Sequence, residues 1–124
     1  MEAIKTNQAP GAIGPYSQGT AAGGMVFVSG QLPIDPATGL MEEDPGRAAG
    51  HSLRNIAAIL AERGLGLADV VKTTVFLRDI NDFAAMNEEY AKHFSEPFPA
   101  RAAMAVKTLP KNAVLEIEAI AVQK

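Results

Sequence analysis

The sequence contains no cysteine and no tryptophan, and aromatic residues make up only 6% of its 124 residues. Without cysteine the chain can form no disulfide, supply no thiolate nucleophile and offer no thiolate ligand to zinc. Its two histidines, His51 and His93, are isolated and lack the HxxH or HExxH spacing of metal-binding helices. We therefore expect both histidines to be solvated, and we expect no metal site.

An excess of positive charge is also missing. The chain has 11 Lys and Arg against 14 Asp and Glu, with a net charge of -3 and a pI near 5.3. This balance provides no electrostatic surface for nucleic acid or an anionic membrane. No apolar run approaches the ~18 residues that a membrane helix needs, and the first residues do not resemble a signal peptide. The sequence predicts a cytoplasmic protein with neither a nucleic-acid nor a membrane partner.

The composition that is present is typical of a globular domain. Hydrophobic residues make up 48% and charged residues 20% of the chain, close to the averages for such proteins. The length is enough for one core but not for two. No internal repeat, low-complexity run or linker divides the chain, so residues 1–124 are predicted to form a single domain.

The pattern of apolar residues and turn signals predicts strand, strand, strand, helix, strand, helix, strand, strand. A short edge strand and a loop are predicted over residues 3–15, with further strands over 16–22, 25–31, 70–77, 101–106 and 115–122. Asp44-Pro45 is a typical helix start and Gly64 a typical stop. A second helix begins at Asp79 or Asn81, carries an apolar stripe (Phe83, Met86, Tyr90 and Phe94) and ends before Pro97. This order predicts an α+β fold in which two helices cover one face of a mixed sheet.

The last predicted strand carries apolar residues on both faces. Leu115, Ile117, Ala119 and Ala121 alternate with Glu116, Glu118, Ile120 and Val122. If the helices cover the first set, Ile120 and Val122 remain uncovered. The same surface of another copy is the simplest cover, so the sequence predicts a closed oligomer.

An arginine and a glutamate in the last two predicted strands are the strongest candidates for a functional site. Arg101 follows Pro99-Ala100 at the start of an apolar segment, and Glu116 interrupts an otherwise alternating strand. Charges are costly to bring near a core, so such a pair usually serves a site. Because a guanidinium matches a carboxylate with two parallel hydrogen bonds, we predict that Arg101 binds a small-molecule carboxylate. Glu116 would then act on a proton or a water beside it. A surface ion pair for Arg101 and a solvated strand edge for Glu116 remain open.

Three further residues are candidates for lining such a site, each with a structural alternative. Tyr16 follows the stiff turn at residues 13–15, which can hold a phenol at a fixed angle, although packing is the commoner use of a lone tyrosine. Gly30 would let a ligand approach a backbone N–H. Asn87 lies one residue beyond the apolar stripe of the second helix, where it can face either a cleft or solvent.

Longer motifs extend over most of the chain. They are Ala12-Ile13-Gly14-Pro15-Tyr16-Ser17-Gln18, Val28-Ser29-Gly30-Gln31, Val71-Lys72-Thr73-Thr74-Val75-Phe76, Asn81-Asp82-Phe83, Pro99-Ala100-Arg101-Ala102-Ala103-Met104, Leu109-Pro110 and Leu115-Glu116-Ile117. In this order and spacing they resemble the RidA/YjgF family of reactive-intermediate (enamine/imine) deaminases.

The resemblance implies a chorismate-mutase-like fold assembled as a homotrimer, with the sheets forming a central barrel and clefts between subunits. It also implies hydrolysis of enamines and imines, such as 2-aminoacrylate or 2-iminobutanoate, to 2-keto acids and ammonia. Pyridoxal-phosphate-dependent serine and threonine dehydratases would release these substrates, while the protein itself would need no cofactor or metal. By matching position, Arg101 would pair with the substrate carboxylate and Glu116 would position or activate water. Tyr16, Gly30 and Asn87 would line the cleft.

One position departs from the family pattern. Many members have cysteine two residues after the arginine, where this chain has Ala103. Thiol-dependent behaviour is therefore not expected, whereas the resemblance still implies a backbone contribution of Ala103 to substrate binding. Two other functions attach to relatives: a non-enzymatic keto-acid-binding or chaperone-like trimer, and a ribonuclease or translation inhibitor. The acidic pI counts against the ribonuclease.

Overall fold

The computed structural model describes residues 1–123, which form a six-stranded mixed sheet and two α-helices. The strands are β1 (Glu2–Ile4), β2 (Gly19–Ala22), β3 (Met25–Gln31), β4 (Val70–Leu77), β5 (Ala100–Ala105) and β6 (Leu115–Val122), and the helices are α1 (Pro45–Ala61) and α2 (Phe83–Ala91). Across the sheet the order is β1-β2-β3-β6-β4-β5, and only β4 and β5 run parallel. The predicted α+β order is confirmed, with β1 at one edge and β4 inside.

Local signals in the sequence set the ends of several elements. Gly23 and Gly24 have φ angles of 58° and 77°, as a tight β2–β3 hairpin requires. Asp44 begins α1 by accepting a 3.0 Å hydrogen bond from the backbone N–H of Arg47. Gly64, just beyond the helix, has a φ of 71°. The predicted hairpin, helix start and helix stop are therefore confirmed.

Several predicted boundaries are wrong. The strand predicted over residues 101–106 lies one residue earlier, at Ala100–Ala105. The strand predicted over residues 16–22 begins only at Gly19, because β1 stops pairing after Ile4 and the next residues leave the sheet edge. The buried Gln18 side chain holds that departing segment instead, accepting from the Thr6 N–H at 2.7 Å and donating to the Pro10 carbonyl at 2.8 Å.

The second helix is shorter than predicted at both ends. Asp79 caps only a 3-10 turn (Ile80–Asp82), where it accepts from the Asn81 N–H at 2.9 Å, and α2 begins at Phe83. It ends at Ala91, where the N–H groups of Lys92 and His93 donate to carbonyls only three residues earlier. Phe94 lies beyond this tightened turn but still packs against Tyr90, with 4.6 Å between ring centroids. The apolar stripe therefore continues past the end of the helix.

The two helices cover one face of the sheet, as predicted. Leu115, Ile117, Ala119 and Ala121 of β6 are buried together with the apolar side of α1, which consists of Ala49, Leu53, Ile56 and Leu60. Helix α2 packs on α1 and joins this layer. Within residues 1–123, neither helix is long and apolar enough to cross a membrane.

The opposite face of the sheet carries apolar side chains that no element within residues 1–123 covers. Phe27 and Val122 are each 42% exposed and Met104 is 38% exposed, whereas half-buried Ile120 pairs with Phe27 across β3 and β6. Glu116 lies on the same face, opposite Phe76 of β4. The predicted second apolar face is confirmed for the single chain.

Candidate functional site

Arg101 lies near the start of β5, the strand at one edge of the sheet. Its register partner on β4 is Thr73, which pairs in turn with Ala119 of β6. Side chains at paired positions share a face of the sheet, and Thr73 and Ala119 are buried on the helix side. Arg101 therefore points toward the helices from the edge of the sheet.

The guanidinium of Arg101 is held against α2. Its Nη1 donates to Asn87 Oδ1 at 2.7 Å, and its Cζ lies 4.8 Å from the ring centroid of Tyr90 and 5.5 Å from that of Phe83. Both distances are in the cation–π range. Among residues 1–123 Arg101 has no carboxylate partner within ion-pair distance, and Asn87 contacts it directly.

Ala103 lies two positions beyond Arg101 on β5 and therefore faces the same side. Its partner on β4 is Val75, which is fully buried. Ala103 itself is half-buried and packs against the core. Ala103 therefore presents a small apolar surface on the same side of the sheet as Arg101.

Glu116 lies close to the backbone of Gly30 on the other face of the sheet. A Cβ built on Gly30 would be 2.8 Å from both Cδ and Oε2 of Glu116, so a side chain at position 30 would force the Glu116 carboxyl to move. The register of β3 against β6 shifts between Val28 and Gln31, beside this contact. Gly30 therefore leaves room for the Glu116 carboxylate in its present position, and the ligand approach to its backbone stays a prediction.

Glu116 is half-buried, and this burial raises the pKa of its carboxyl above the ordinary value of 4.5. The neighbouring carboxylate of Glu118 raises the pKa further. Both causes disfavour the charged form. A carboxylate with a raised pKa accepts a proton more readily, which suits a general base.

Tyr16 and Gly30 line one cavity of about 620 Å³. Tyr16 is 53% exposed, so its ring does not fill the core. Its hydroxyl accepts a long hydrogen bond of 3.4 Å from the Ile13 N–H. Lys111 also lines this cavity and has a φ of 56°, in the left-handed region.

The predicted site residues form two clusters within one chain. Arg101, Asn87 and Ala103 lie on the helix side at the β5 edge, whereas Glu116 contacts Gly30 on the uncovered face and Tyr16 shares the cavity beside Gly30. The sheet lies between Arg101 and Glu116. A single chain therefore does not bring these two residues together.

Known proteins are similar to this chain over nearly its whole length. Residues 6–123 match the sequence model of the family described as Endoribonuclease L-PSP. A Salmonella typhimurium protein named 2-iminobutanoate/2-iminopropanoate deaminase is 51% identical over an alignment of 124 positions, which covers 98% of this chain and 97% of the relative. The chain belongs to the RidA/YjgF family. The resemblance seen in the motifs is thereby confirmed.

Solved RidA/YjgF structures have the same fold. The crystal structure of E. coli TdcF with bound serine aligns with a TM-score of 0.93 and 47% identity, covering 100% of both chains. The crystal structure of the YjgF gene product from E. coli aligns with a TM-score of 0.94 and 46% identity, again covering 100% of both. The predicted family fold of the single chain is confirmed.

Sequence reasoning missed part of the arginine's surroundings in this RidA/YjgF protein. Phe83 and Tyr90 were assigned to an apolar stripe, and Thr73 was treated only as part of a strand. The available signal was the spacing of Phe83, Asn87 and Tyr90, which at i, i+4 and i+7 share one helix face. That helix face contacts the Arg101 guanidinium as well as the core.

The histidine prediction for this family member is wrong at one position. His93 Nε2 lies 2.7 Å from Glu89 Oε2, and this contact lowers the pKa of the Glu89 carboxyl. His93 is thus paired rather than freely solvated. Within residues 1–123, no group of three or more His, Cys, Asp or Glu side chains is placed to hold a metal ion.

Proposed function

We propose that this protein hydrolyses reactive enamine and imine intermediates, such as 2-aminoacrylate or 2-iminobutanoate, to 2-keto acids and ammonia. The observation that carries the proposal is the Arg101 guanidinium, held by Asn87 and two aromatic rings without a carboxylate partner among residues 1–123. It occurs in a chain 51% identical to a protein named 2-iminobutanoate/2-iminopropanoate deaminase. We further propose that the reaction takes place in the cytoplasm, without a cofactor or metal.

In this proposal Arg101 binds the substrate carboxylate. Nη1 is engaged by Asn87, which leaves the Nε and Nη2 donors for two parallel hydrogen bonds to the carboxylate oxygens. The relative TdcF was crystallised with serine, which also carries a carboxylate. Ala103, Tyr16 and Gly30 would contribute the remaining walls of the cleft.

Glu116 acts on water. A water oxygen attacks C2 of the imine while Glu116 accepts one of its protons, and the resulting carbinolamine receives that proton on nitrogen. Glu116 then takes the proton of the C2 hydroxyl and passes it to nitrogen as the C–N bond breaks, which releases ammonia and leaves C2=O as the ketone of the 2-keto acid. Orientation and one positioned water are sufficient, because the C=N carbon is already electrophilic.

The proposed site requires two copies of the chain. Arg101 and Glu116 lie on opposite faces of one sheet, so a substrate touching both must lie between neighbouring subunits. The uncovered apolar face, including Phe27, Met104 and Val122, is suited to such an association. We propose a homotrimer with a cleft at each subunit boundary.

Mixing two inactive variants tests the function and the shared site together. Arg101→Ala and Glu116→Gln should each lose imine hydrolysis, measured on 2-iminobutanoate generated in situ by an amino-acid oxidase. Co-expressed in equal amounts, they should regain roughly a quarter of the parent activity, because a random mixture pairs an intact arginine with an intact glutamate at that frequency.

The controls separate assembly from chemistry. Each variant alone should keep the parent's trimer mass by light scattering, since neither change adds or removes apolar interface. A mixture that stays inactive despite verified mixed trimers would contradict the two-chain site. Parent-like turnover by Arg101→Ala would contradict the role of Arg101.

The family description also names a ribonuclease, which makes this the competing function. The net charge of -3 and the scattered basic residues are unfavourable for a phosphate backbone. RNA cleavage retained by both Arg101→Ala and Glu116→Gln would indicate a separate activity. A holdase assay on a heat-aggregating client distinguishes the chaperone-like alternative in the same way.

A further inference from the structure

The rings of Tyr90 and Phe83 beneath the Arg101 guanidinium form what we call the aromatic seat. We propose that Tyr90, anchored by Thr73, is a positioning residue that orients Arg101 so that its Nε–Nη2 edge receives the substrate carboxylate. This inference rests on the proposed function, because it assigns to Tyr90 and Thr73 a part in the same site.

Tyr90 is fixed from several directions. It is 5% exposed, and its hydroxyl shares a 2.7 Å hydrogen bond with Thr73 Oγ1. Phe94 packs against the ring, with 4.6 Å between centroids. A ring held in this way offers the guanidinium a rigid surface.

Thr73 connects this anchor to the strand that carries the arginine. It is 1% exposed and is the register partner of Arg101 in the parallel pairing of β4 and β5. The backbone of Arg101 is thus held beside Thr73, while its guanidinium lies on the tyrosine that Thr73 holds. Thr73 therefore holds Arg101 at both ends, directly at the backbone and through Tyr90 at the guanidinium.

The aromatic seat and Asn87 together determine which edge of the Arg101 guanidinium can bind the substrate carboxylate. The rings restrict the guanidinium to their faces, and the 2.7 Å bond to Asn87 Oδ1 fixes its rotation by engaging Nη1. A carboxylate can then approach the Nε–Nη2 edge with two parallel hydrogen bonds. Because the side chain is already ordered, binding loses less conformational entropy than it would with a free arginine.

The alternative is that Tyr90 only fills the core. A core role would be served by any ring of similar size, with no requirement for the hydroxyl. Tyr90→Phe keeps the ring and removes the anchor, Thr73→Val removes the other half of the hydrogen bond, and Tyr90→Leu removes the ring. Ile56→Val is the matched control, because Ile56 is a fully buried core side chain on α1, whereas Tyr90 and Asn87 lie on α2.

The measurements are the KM and kcat for imine hydrolysis and the Kd for 2-oxobutanoate, measured by calorimetry. This compound is the 2-keto acid formed from 2-iminobutanoate, and it carries the same carboxylate. We expect Tyr90→Leu to raise Kd and KM about 10-fold, and Tyr90→Phe and Thr73→Val to raise them about 3-fold, with kcat changed less than about 2-fold. Ile56→Val should leave Kd and KM unchanged. A general packing defect would instead move all four variants alike.

The outcomes separate this inference from the proposed function. If the parent binds 2-oxobutanoate and the anchor variants weaken it but no imine is hydrolysed, the proposed function fails and the positioning role stands. Unchanged Kd in Tyr90→Phe and Thr73→Val, or no binding of 2-oxobutanoate by the parent, would overturn the positioning role. The two near-isosteric variants keep the test decisive if Tyr90→Leu does not fold.

Discussion

A methyl group at position 30 tests the placement of Glu116 without removing its carboxylate. In Gly30→Ala the new Cβ would lie 2.8 Å from Cδ and Oε2 of Glu116, whereas ordinary van der Waals contact begins at 3.4 Å. The carboxyl group must therefore retreat by about 0.6 Å, the difference between 3.4 and 2.8 Å. Gly30 does not share the positive φ of Gly23 or Gly24, so alanine adds no backbone strain.

The expected effect is large on catalysis and small on folding. The displaced group is the end of a flexible side chain, so the free energy of unfolding should fall by less than about 1.5 kcal/mol, the cost of an off-rotamer side chain. A misplacement of about 1 Å can cost on the order of 100-fold in rate, so the smaller shift here should lower kcat by about 10-fold. KM should change little, because Arg101 binds the carboxylate from the other cluster.

The assay follows 2-iminobutanoate produced by an amino-acid oxidase, together with the Tm by circular dichroism. Gly66→Ala is the matched control, since a Cβ at Gly66 meets nothing within 4 Å and its φ is -139°. That control should keep the parent kcat and Tm. A folded Gly30→Ala protein with parent kcat would refute the claim that the position of the Glu116 carboxylate matters to the reaction.

Two further predictions concern buried polar groups. The pKa of Glu116 is raised in the folded protein. Protonation of this carboxyl therefore stabilises the fold fully below the ordinary pKa of 4.5, and this stabilisation is lost as the pH rises through the raised pKa. Glu116→Gln should therefore have a Tm at or above the parent's at pH 7, converging below about pH 4; a lower Tm at pH 7 would contradict this. Gln18→Leu removes bonds to Thr6 and Pro10, which should reduce the free energy of unfolding by about 1–3 kcal/mol. Amide exchange at Thr6 should accelerate, whereas Gln8→Leu, at an exposed side chain, should leave it unchanged.

Several features of the fold could be predicted because their causes are local. Asp44 caps a helix through its own side chain, and Gly23 and Gly24 adopt a backbone conformation that other residues avoid. The alternation of β6 follows from the two-residue period of a strand. These signals do not depend on distant parts of the chain.

Other features depended on contacts between distant segments. The strand expected to begin at Tyr16 begins at Gly19, because β1 pairs with it only as far as Ile4 and the Gln18 side chain bonds to the segment that then leaves the sheet edge. The role of Tyr90 was hidden for a similar reason. Tyr90 lies on a helix, whereas its partners Thr73 and Arg101 come from two different strands.

The sequence by itself determined the family, the order of elements, the choice of Arg101 and Glu116 as candidates, and the presence of a second apolar face. Tertiary structure alone decided which side of the sheet each candidate occupies. Alternation within a strand relates neighbouring residues, but the relation between β5 and β6 is set by the register of β4 between them. That long-range pairing separates the guanidinium from the carboxylate within one chain.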